Sequence, residues 1–301
     1  MPELPDVEVY CERITALFGG QTLSRVRLSS PFVLRSVSPL LTETHGKLLV
    51  GARRLGKRIV LSLSDELFLV IHLMISGRLR QKELGAIVPR KVGLLAFDFE
   101  TSSLLLTEAS SKKRASLFVI RGEAQLSSFE RGGVEPLAVT SAAFAKALTR
   151  ENRTLKRALT DPRIVSGVGN AYSDEILWSA GLSPTKRTQS MNQAELSRLH
   201  KSTKTTLREW TERLRQQVGD GFPDKVTAFH EDMAVHGRFG KPCRRCNTKV
   251  QRVRFADNEL NYCPRCQTDG KLLADRGLSK LLGGDWPKTI HELEERADFK
   301  P

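Results

Sequence analysis

Lys47-Leu48-Leu49-Val50-Gly51-Ala52-Arg53, Arg58-Ile59-Val60-Leu61-Ser62-Leu63 and Leu67-Phe68-Leu69-Val70-Ile71-His72-Leu73 are three short apolar runs separated by turn-like residues. Runs of this length, rich in Val, Leu, Ile and Phe and bounded by pieces such as Ser64-Asp65, read as neighbouring antiparallel strands. Similar segments lie outward on both sides: Thr22 to Leu28 upstream, and Gly93 to Phe99, Leu104 to Thr107 and Ser116 to Ile120 downstream. The pattern predicts a sandwich or barrel of antiparallel strands. Ahead of it, Val7, Tyr10, Ile14 and Leu17 recur at helical spacing between Pro5 and Phe18. Pro5 suits a first turn, and Gly19-Gly20 supplies a stop.

Near Arg131-Gly132-Gly133 the periodicity changes. Ser141 to Leu148, Arg153 to Thr160, Ser173 to Ala180 and Asn192 to Val218 carry helical spacing, and Asn192 with Glu195 has the spacing of a capping box. From about His236 the chain becomes rich in Gly, Cys and Arg, and beyond Cys266 a mixed tail holds one short helical stretch, Ile290 to Ala297. The expected architecture is α+β and multidomain. An N-terminal helix with an antiparallel β-sandwich spans 1–130, a helical domain 131–235, a four-cysteine zinc ribbon 236–270 and a C-terminal extension 271–301.

Composition narrows the function classes. The chain has 301 residues, 40% of them hydrophobic and 27% charged, with a net charge of +14. Such a sequence forms a core and is not a disordered tail. No run nears the ~18 apolar residues that a spanning helix needs, and the start lacks the pattern of a secretory signal. The expectation is a cytoplasmic protein, nucleoid-associated if bacterial, with no membrane partner. A charge of this sign and size favours a polyanion, with nucleic acid first. Aromatic residues are only 6% of the chain, which speaks against stacking platforms for open single strands.

The strongest local signal is Cys243-Arg244-Arg245-Cys246 followed, with sixteen residues between, by Cys263-Pro264-Arg265-Cys266. Two such pairs place four thiolates around one structural Zn²⁺; the bland alternative is two separate redox or buried pairs. Arg238, Lys241, Arg244, Arg245, Lys249, Arg252, Arg254, Arg265 and Lys271 surround the pairs. A ribbon this basic suits phosphates. The fifth cysteine, Cys11, falls on the N-terminal helix and reads as a small buried hydrophobe.

The start, Met1-Pro2-Glu3-Leu4-Pro5-Asp6-Val7-Glu8, carries its own chemistry. Removal of Met1 leaves Pro2 with a free secondary amine, a class of group that titrates near ~8. Its neutral form attacks an aldehyde carbon to give an iminium, and the adjacent Glu3 has the chemistry to move a proton. Read alone, Pro2 and Pro5 merely shape the helix start, and Glu3 complements the helix dipole.

Pro2-Glu3-Leu4-Pro5 together with a terminal four-cysteine ribbon resembles the formamidopyrimidine-DNA glycosylase and endonuclease VIII family. Leu55-Gly56-Lys57-Arg58 resembles the family's lysine loop. His72-Leu73-Met74-Ile75-Ser76-Gly77-Arg78-Leu79 resembles its His-Leu-Gly-Met-Ser-Gly segment. Ser166-Gly167-Val168-Gly169-Asn170-Ala171-Tyr172-Ser173-Asp174-Glu175 resembles its helix–two-turn–helix signature. The resemblance runs in order from residue 2 to about 267. It implies a monomeric enzyme of base excision repair acting on damaged double-stranded DNA, with zinc as its one, structural, cofactor. Pro2 is then the nucleophile at C1′, Glu3 the proton donor and acceptor, and Lys57 the phosphate clamp that assists elimination. The implied DNA contacts are His72, Met74, Ile75, Lys113, Arg114, Lys156, Gly169, Asn170, Arg252, Arg254 and Asn258, with Met74 or Ile75 as the wedge. Cys243, Cys246, Cys263 and Cys266 bind the zinc. The alternative is a non-catalytic lesion binder on the same scaffold.

Four departures qualify the resemblance. Asn258 stands where the family's ribbon carries an arginine, which predicts cleavage that stops mainly at β-elimination. Thr107 to Ala115 replaces the family's Asp-Pro-Arg-Arg-Phe-Gly loop and keeps basic charge without the aromatic. The segment between Val218 and Phe229 is short, which weakens any claim to 8-oxoguanine specificity. The tail runs past the family's usual end.

Overall fold

A computed structural model describes residues 1–224, 226–227, 229–255 and 259–295. Asn258 lies outside the described residues. The chain divides into two compact units, residues 1–131 with 208–228, and residues 132–207 with 229–301.

The first unit opens with α1 (Leu4–Phe18), which buries Val7, Tyr10, Ile14 and Phe18 along one stripe. Nine strands follow: β1 (Thr22–Leu23), β2 (Arg25–Leu28), β3 (Lys47–Leu55), β4 (Arg58–Leu63), β5 (Leu67–His72), β6 (Gly77–Glu83), β7 (Gly93–Asp98), β8 (Ser102–Glu108) and β9 (Ser116–Arg121). They form two antiparallel sheets, β1-β3-β4-β5-β9 and β2-β7-β8-β6. One apolar core joins the stripe of α1 to residues of both sheets, among them Leu49, Leu61, Leu69, Leu95, Phe97, Leu104 and Leu106. A short helix, α2 (Glu123–Leu126), follows β9.

Within the sheets of this unit, two details differ from the sequence expectation. Thr22 to Leu28 is not one strand: the chain changes sheets at Ser24, whose N–H donates to Asp98 O at 2.8 Å. Residues 77–83 form a strand that no apolar run announced. As the edge of its sheet, β6 buries Gly77 and Leu79 and leaves Arg80, Lys82 and Glu83 exposed, so its sequence is mostly polar.

The second unit holds α3 (Ser141–Thr149), α4 (Leu155–Thr160), α5 (Asn170–Ala180) and the first part of α6 (Gln193–Val218), whose residues from Arg208 onward belong to the first unit. The capping box of α6 is present. Glu195 N–H donates to Asn192 Oδ1 at 2.9 Å, and Asn192 N–H donates to Glu195 Oε2 at 3.1 Å. Helix α5 starts three residues earlier than the spacing suggested, with Gly169 as its cap and Asn170 as its first helical residue. The hairpin β10 (Gln251–Arg254) and β11 (Glu259–Tyr262) is followed by α7 (Pro264–Thr268), α8 (Arg276–Leu282) and α9 (Ile290–Glu295). Among the described residues, the tail therefore holds two helices beyond the ribbon where the sequence suggested one. No described helix is long and apolar enough to cross a membrane.

Candidate active site and nucleic-acid interface

In the first unit the start of the chain is enclosed. Pro2 and Glu3 are buried, and Glu3 caps α1 with an N–H that donates to Asp6 Oδ2 at 2.8 Å. Asp6 is fully enclosed. Burial pushes its carboxyl up to about 7; the hydrogen bond from Glu3 opposes that rise and the Glu3 charge adds to it. The amine of Met1 stands one residue ahead of the amine that a chain starting at Pro2 would expose. Burial lowers the pKa of this amine, Glu3 and Asp6 raise it, and Arg78 and Lys57 lower it further.

Lys57 reaches this neighbourhood through a tight turn. Leu55 pairs with Arg58, and Gly56 between them takes a φ of 61°, a left-handed conformation that suits glycine. The nearly buried Arg54 locks the hairpin to α1, donating to Glu8 Oε1 at 2.7 Å and to Gly56 O at 3.1 Å. Ala52 N–H adds a bond to Thr15 Oγ1 at 2.8 Å.

His72 ends β5. Its Nδ1 accepts Met74 N–H at 3.0 Å, and burial, with Arg58 and Lys57 nearby, holds its pKa down at about 4. Met74 has a φ of 53° and occupies the place of the glycine in the His-Leu-Gly-Met-Ser-Gly segment. It is half-buried, whereas Ile75 at the tip is 61% exposed. Of the two candidate wedges, Ile75 is the more exposed. Arg78, unassigned from sequence, donates to Ile75 O at 3.2 Å, Gly77 O at 2.7 Å and Val226 O at 2.7 Å. The short segment after Val218 is thereby tied down. Gly221 O accepts Arg13 Nε at 2.7 Å, and the Phe222 ring lies 5.6 Å from that of Tyr10. Lys113 donates to Glu108 O, and Arg114 is exposed.

In the second unit the helix–two-turn–helix signature meets the ribbon. Gly167 turns with a φ of 76°, Gly169 caps α5, and Asn170 Nδ2 donates to Glu259 O of β11 at 2.9 Å. Behind them Asp174, fully buried, accepts Lys156 Nζ at 2.6 Å, His236 Nδ1 at 2.8 Å and Asn261 N–H at 3.1 Å. Lys156 also donates to Asn170 O at 2.6 Å, and its side chain is only 12% exposed. The structure thus sets Lys156 behind the turn as an ion-pair partner, with Asn170 in front of it.

The four cysteine sulfurs lie within 4.8 Å of one another, with Cys243–Cys266 at 4.0 Å and Cys246–Cys263 at 3.4 Å. Tetrahedral Zn–S bonds of about 2.3 Å imply S···S separations near ~3.8 Å, so the cluster fits one closed, structural zinc site. Trp178 Nε1 donates to Cys243 Sγ at 3.3 Å and joins the ribbon to α5, and Cys266 N–H donates to Cys263 Sγ at 3.4 Å. On the hairpin, Arg252 lies 4.2 Å over the Phe239 ring and 3.6 Å from Glu259, while Arg254 is exposed. The tail covers one face of the hairpin. Leu273 N–H donates to Tyr262 Oη at 2.7 Å, the buried Asp275 accepts Arg254 N–H at 2.7 Å, and a cavity of about 120 Å³ remains among Phe239, Tyr262, Leu272, Trp286 and Leu293.

Three stretches match known domain families in order: residues 1–113 the formamidopyrimidine-DNA glycosylase N-terminal domain, 133–219 the formamidopyrimidine-DNA glycosylase H2TH domain, and 240–268 a zinc finger found in FPG and IleRS. A formamidopyrimidine-DNA glycosylase of Heliobacterium modesticaldum is 32% identical over 282 residues, covering 89% of this chain and all of the relative. The chain belongs to the formamidopyrimidine-DNA glycosylase family. Another member, from Exiguobacterium, is 30% identical over 275 residues and covers 89% of this chain and 99% of its own. The Lactococcus lactis Fpg solved in complex with abasic-site DNA superposes with a TM-score of 0.77 at 25% identity, over 88% of this chain and 99% of that one. The fold is that of the family, and the four-cysteine cluster is its zinc finger.

Proposed function

We propose that the chain is a bifunctional DNA glycosylase and abasic-site lyase, which removes oxidised or ring-opened bases from duplex DNA through a Schiff base on Pro2. The reading is carried by the setting of the chain's start: Pro2 and Glu3 are buried, and Lys57 is close enough to act on the amine there. Once Met1 is removed, Pro2 carries a free secondary amine in a buried setting, and the neutral form of such an amine is the nucleophile. Its lone pair attacks C1′, the glycosidic bond breaks and the base leaves. Glu3 supplies and takes the proton as the sugar opens. Loss of a C2′ proton then expels the 3′-phosphate, and hydrolysis frees Pro2. Lys57 holds a phosphate during this step, and Gly169, Asn170 and the basic hairpin grip the strand near the lesion.

The target base must leave the stack, so an apolar wedge and flanking cations are needed; Ile75, Lys113 and Arg114 are assigned to that work. Two structures of a relative support the substrate class: Lactococcus lactis Fpg was crystallised with abasic-site DNA and, as a mutant, with Fapy-dG DNA. Asn258 is neutral where the family's ribbon has arginine, so strand cleavage ends mainly at β-elimination.

Borohydride trapping on abasic duplex DNA tests the reading. The protein should form a covalent adduct, Pro2→Gly should reduce it at least about a hundredfold, and the untrapped product should carry a 3′ unsaturated aldehyde. A gel shift with no adduct would instead identify a lesion binder without chemistry, and a dominant 3′-phosphate would refute the β-elimination stop.

A further inference from the structure

Two loops of the first unit converge on one buried carboxylate. Glu108, the last residue of β8, is 1% exposed. Its Oε2 accepts Arg114 N–H at 2.8 Å and Ala115 N–H at 3.0 Å, and its Oε1 accepts the Ser76 hydroxyl at 3.2 Å. Its main chain joins in: the carbonyl accepts Lys113 Nζ, and the N–H donates to Val92 O at 2.7 Å. In the ladder between β6 and β8, Glu108 faces Gly77.

Gly77 closes the turn that presents Ile75. Its N–H donates to Leu73 O at 2.9 Å, and a Cβ at Gly77 would lie 2.2 Å from that same oxygen, so the turn admits no side chain there. The side chain of Glu108 therefore fixes a rigid turn with an exposed isoleucine at its tip, together with a loop that exposes Lys112 and Arg114. An ionised carboxylate is costly to bury and is tolerated only where several donors meet it. A role confined to shaping one loop would need only the two main-chain donors of Arg114 and Ala115. The bond from Ser76 ties in the second loop.

We propose that Glu108 is a positioning residue for nucleotide extrusion. It holds the Ile75 turn and the Lys112–Arg114 loop at a fixed separation, so that the apolar tip and the cations engage a lesion-containing duplex together. An apolar wedge unstacks a base step efficiently only when nearby cations hold the flanking backbone. The inference rests on the reading that the chain acts on damaged duplex DNA.

The test uses the full chain, a duplex with a tetrahydrofuran abasic analogue, and 2-aminopurine beside the orphaned base as a reporter of unstacking. At saturation the unaltered protein should raise the fluorescence. Glu108→Ala should bind within about threefold yet lose at least about half of that rise. Glu108→Gln should keep it, because an amide oxygen still accepts the two N–H groups and the amide nitrogen can donate to Ser76. If Glu108→Ala fails to fold by thermal melting, Ser76→Ala, which severs only the link between loops, carries the prediction and should itself reduce the rise. A full fluorescence rise in Glu108→Ala or, failing that variant, in Ser76→Ala overturns the proposal. So does a loss of affinity in parallel with fluorescence, the loss of the rise in Glu108→Gln, or the absence of any rise with the unaltered protein. Trapping on natural abasic duplex, run alongside, separates the two readings: fluorescence without an adduct refutes Pro2 chemistry and leaves Glu108 in place.

Discussion

Met74 takes a left-handed backbone conformation, which costs a residue with a Cβ roughly 1–2 kcal/mol. The turn keeps that conformation because it is bonded from both ends. His72 Nδ1 receives Met74 N–H, and Leu73 O receives Gly77 N–H. The bond to Nδ1 requires that nitrogen to be unprotonated, in keeping with the depressed pKa of about 4. In the unfolded chain the same histidine titrates near ~6.5. Below that pH the unfolded state binds the extra proton, so the contribution of His72 is present above about pH 6.5 and is lost as pH falls towards 4, by at most about 3 kcal/mol. Urea unfolding midpoints from pH 7 to pH 4.5 should fall less steeply in His72→Asn, whose Oδ1 can accept the same N–H and does not titrate. Identical slopes in the two proteins would rule this out.

Among the elements, the hairpin of β10 and β11 has two supports, the cysteine cluster at one end and the tail along one face. Leu273 packs on Val253, Leu260 and Tyr262, and Asp275 holds the main chain of Arg254. Removing a buried acceptor costs about 1–3 kcal/mol locally. Asp275→Ala should therefore speed hydrogen exchange at residues 251–254 about tenfold or more while the four cysteines still bind zinc; unchanged exchange would show that the tail does not brace the hairpin. These elements also show what the sequence disclosed. Arg58–Leu63 was legible because it is an apolar run between turns, and the start of α6 because Asn192 and Glu195 cap it locally. Strand β6 was hidden by its polar edge character, and the break at Ser24 by having no residue of special conformation. Within the site, the cysteine pairs were legible from spacing and the N-terminal and turn motifs from resemblance. Asp6, Arg78 and Glu108 lie within the same motifs and loop but carry no local signal, because they act through contacts outside any local spacing pattern or through burial that no such pattern displays.

At the scale of the whole molecule, the residues of the proposed chemistry fall on two units. The first carries the enclosed amine with Glu3, Lys57, the Ile75 turn and the basic loop. The second carries the Asn170 turn, the zinc finger and the tail-braced hairpin. On the proposed reading, a net charge of +14 meets the phosphates of duplex DNA. On the proposed reading, one nitrogen separates an enzyme from a binder. Mass spectrometry of the peptide crosslinked by borohydride to abasic DNA addresses it most directly. The account predicts a sugar-derived mass on a peptide beginning at Pro2, with Met1 absent; a crosslink on Lys57 or any other lysine, or an active protein that retains Met1, would contradict it.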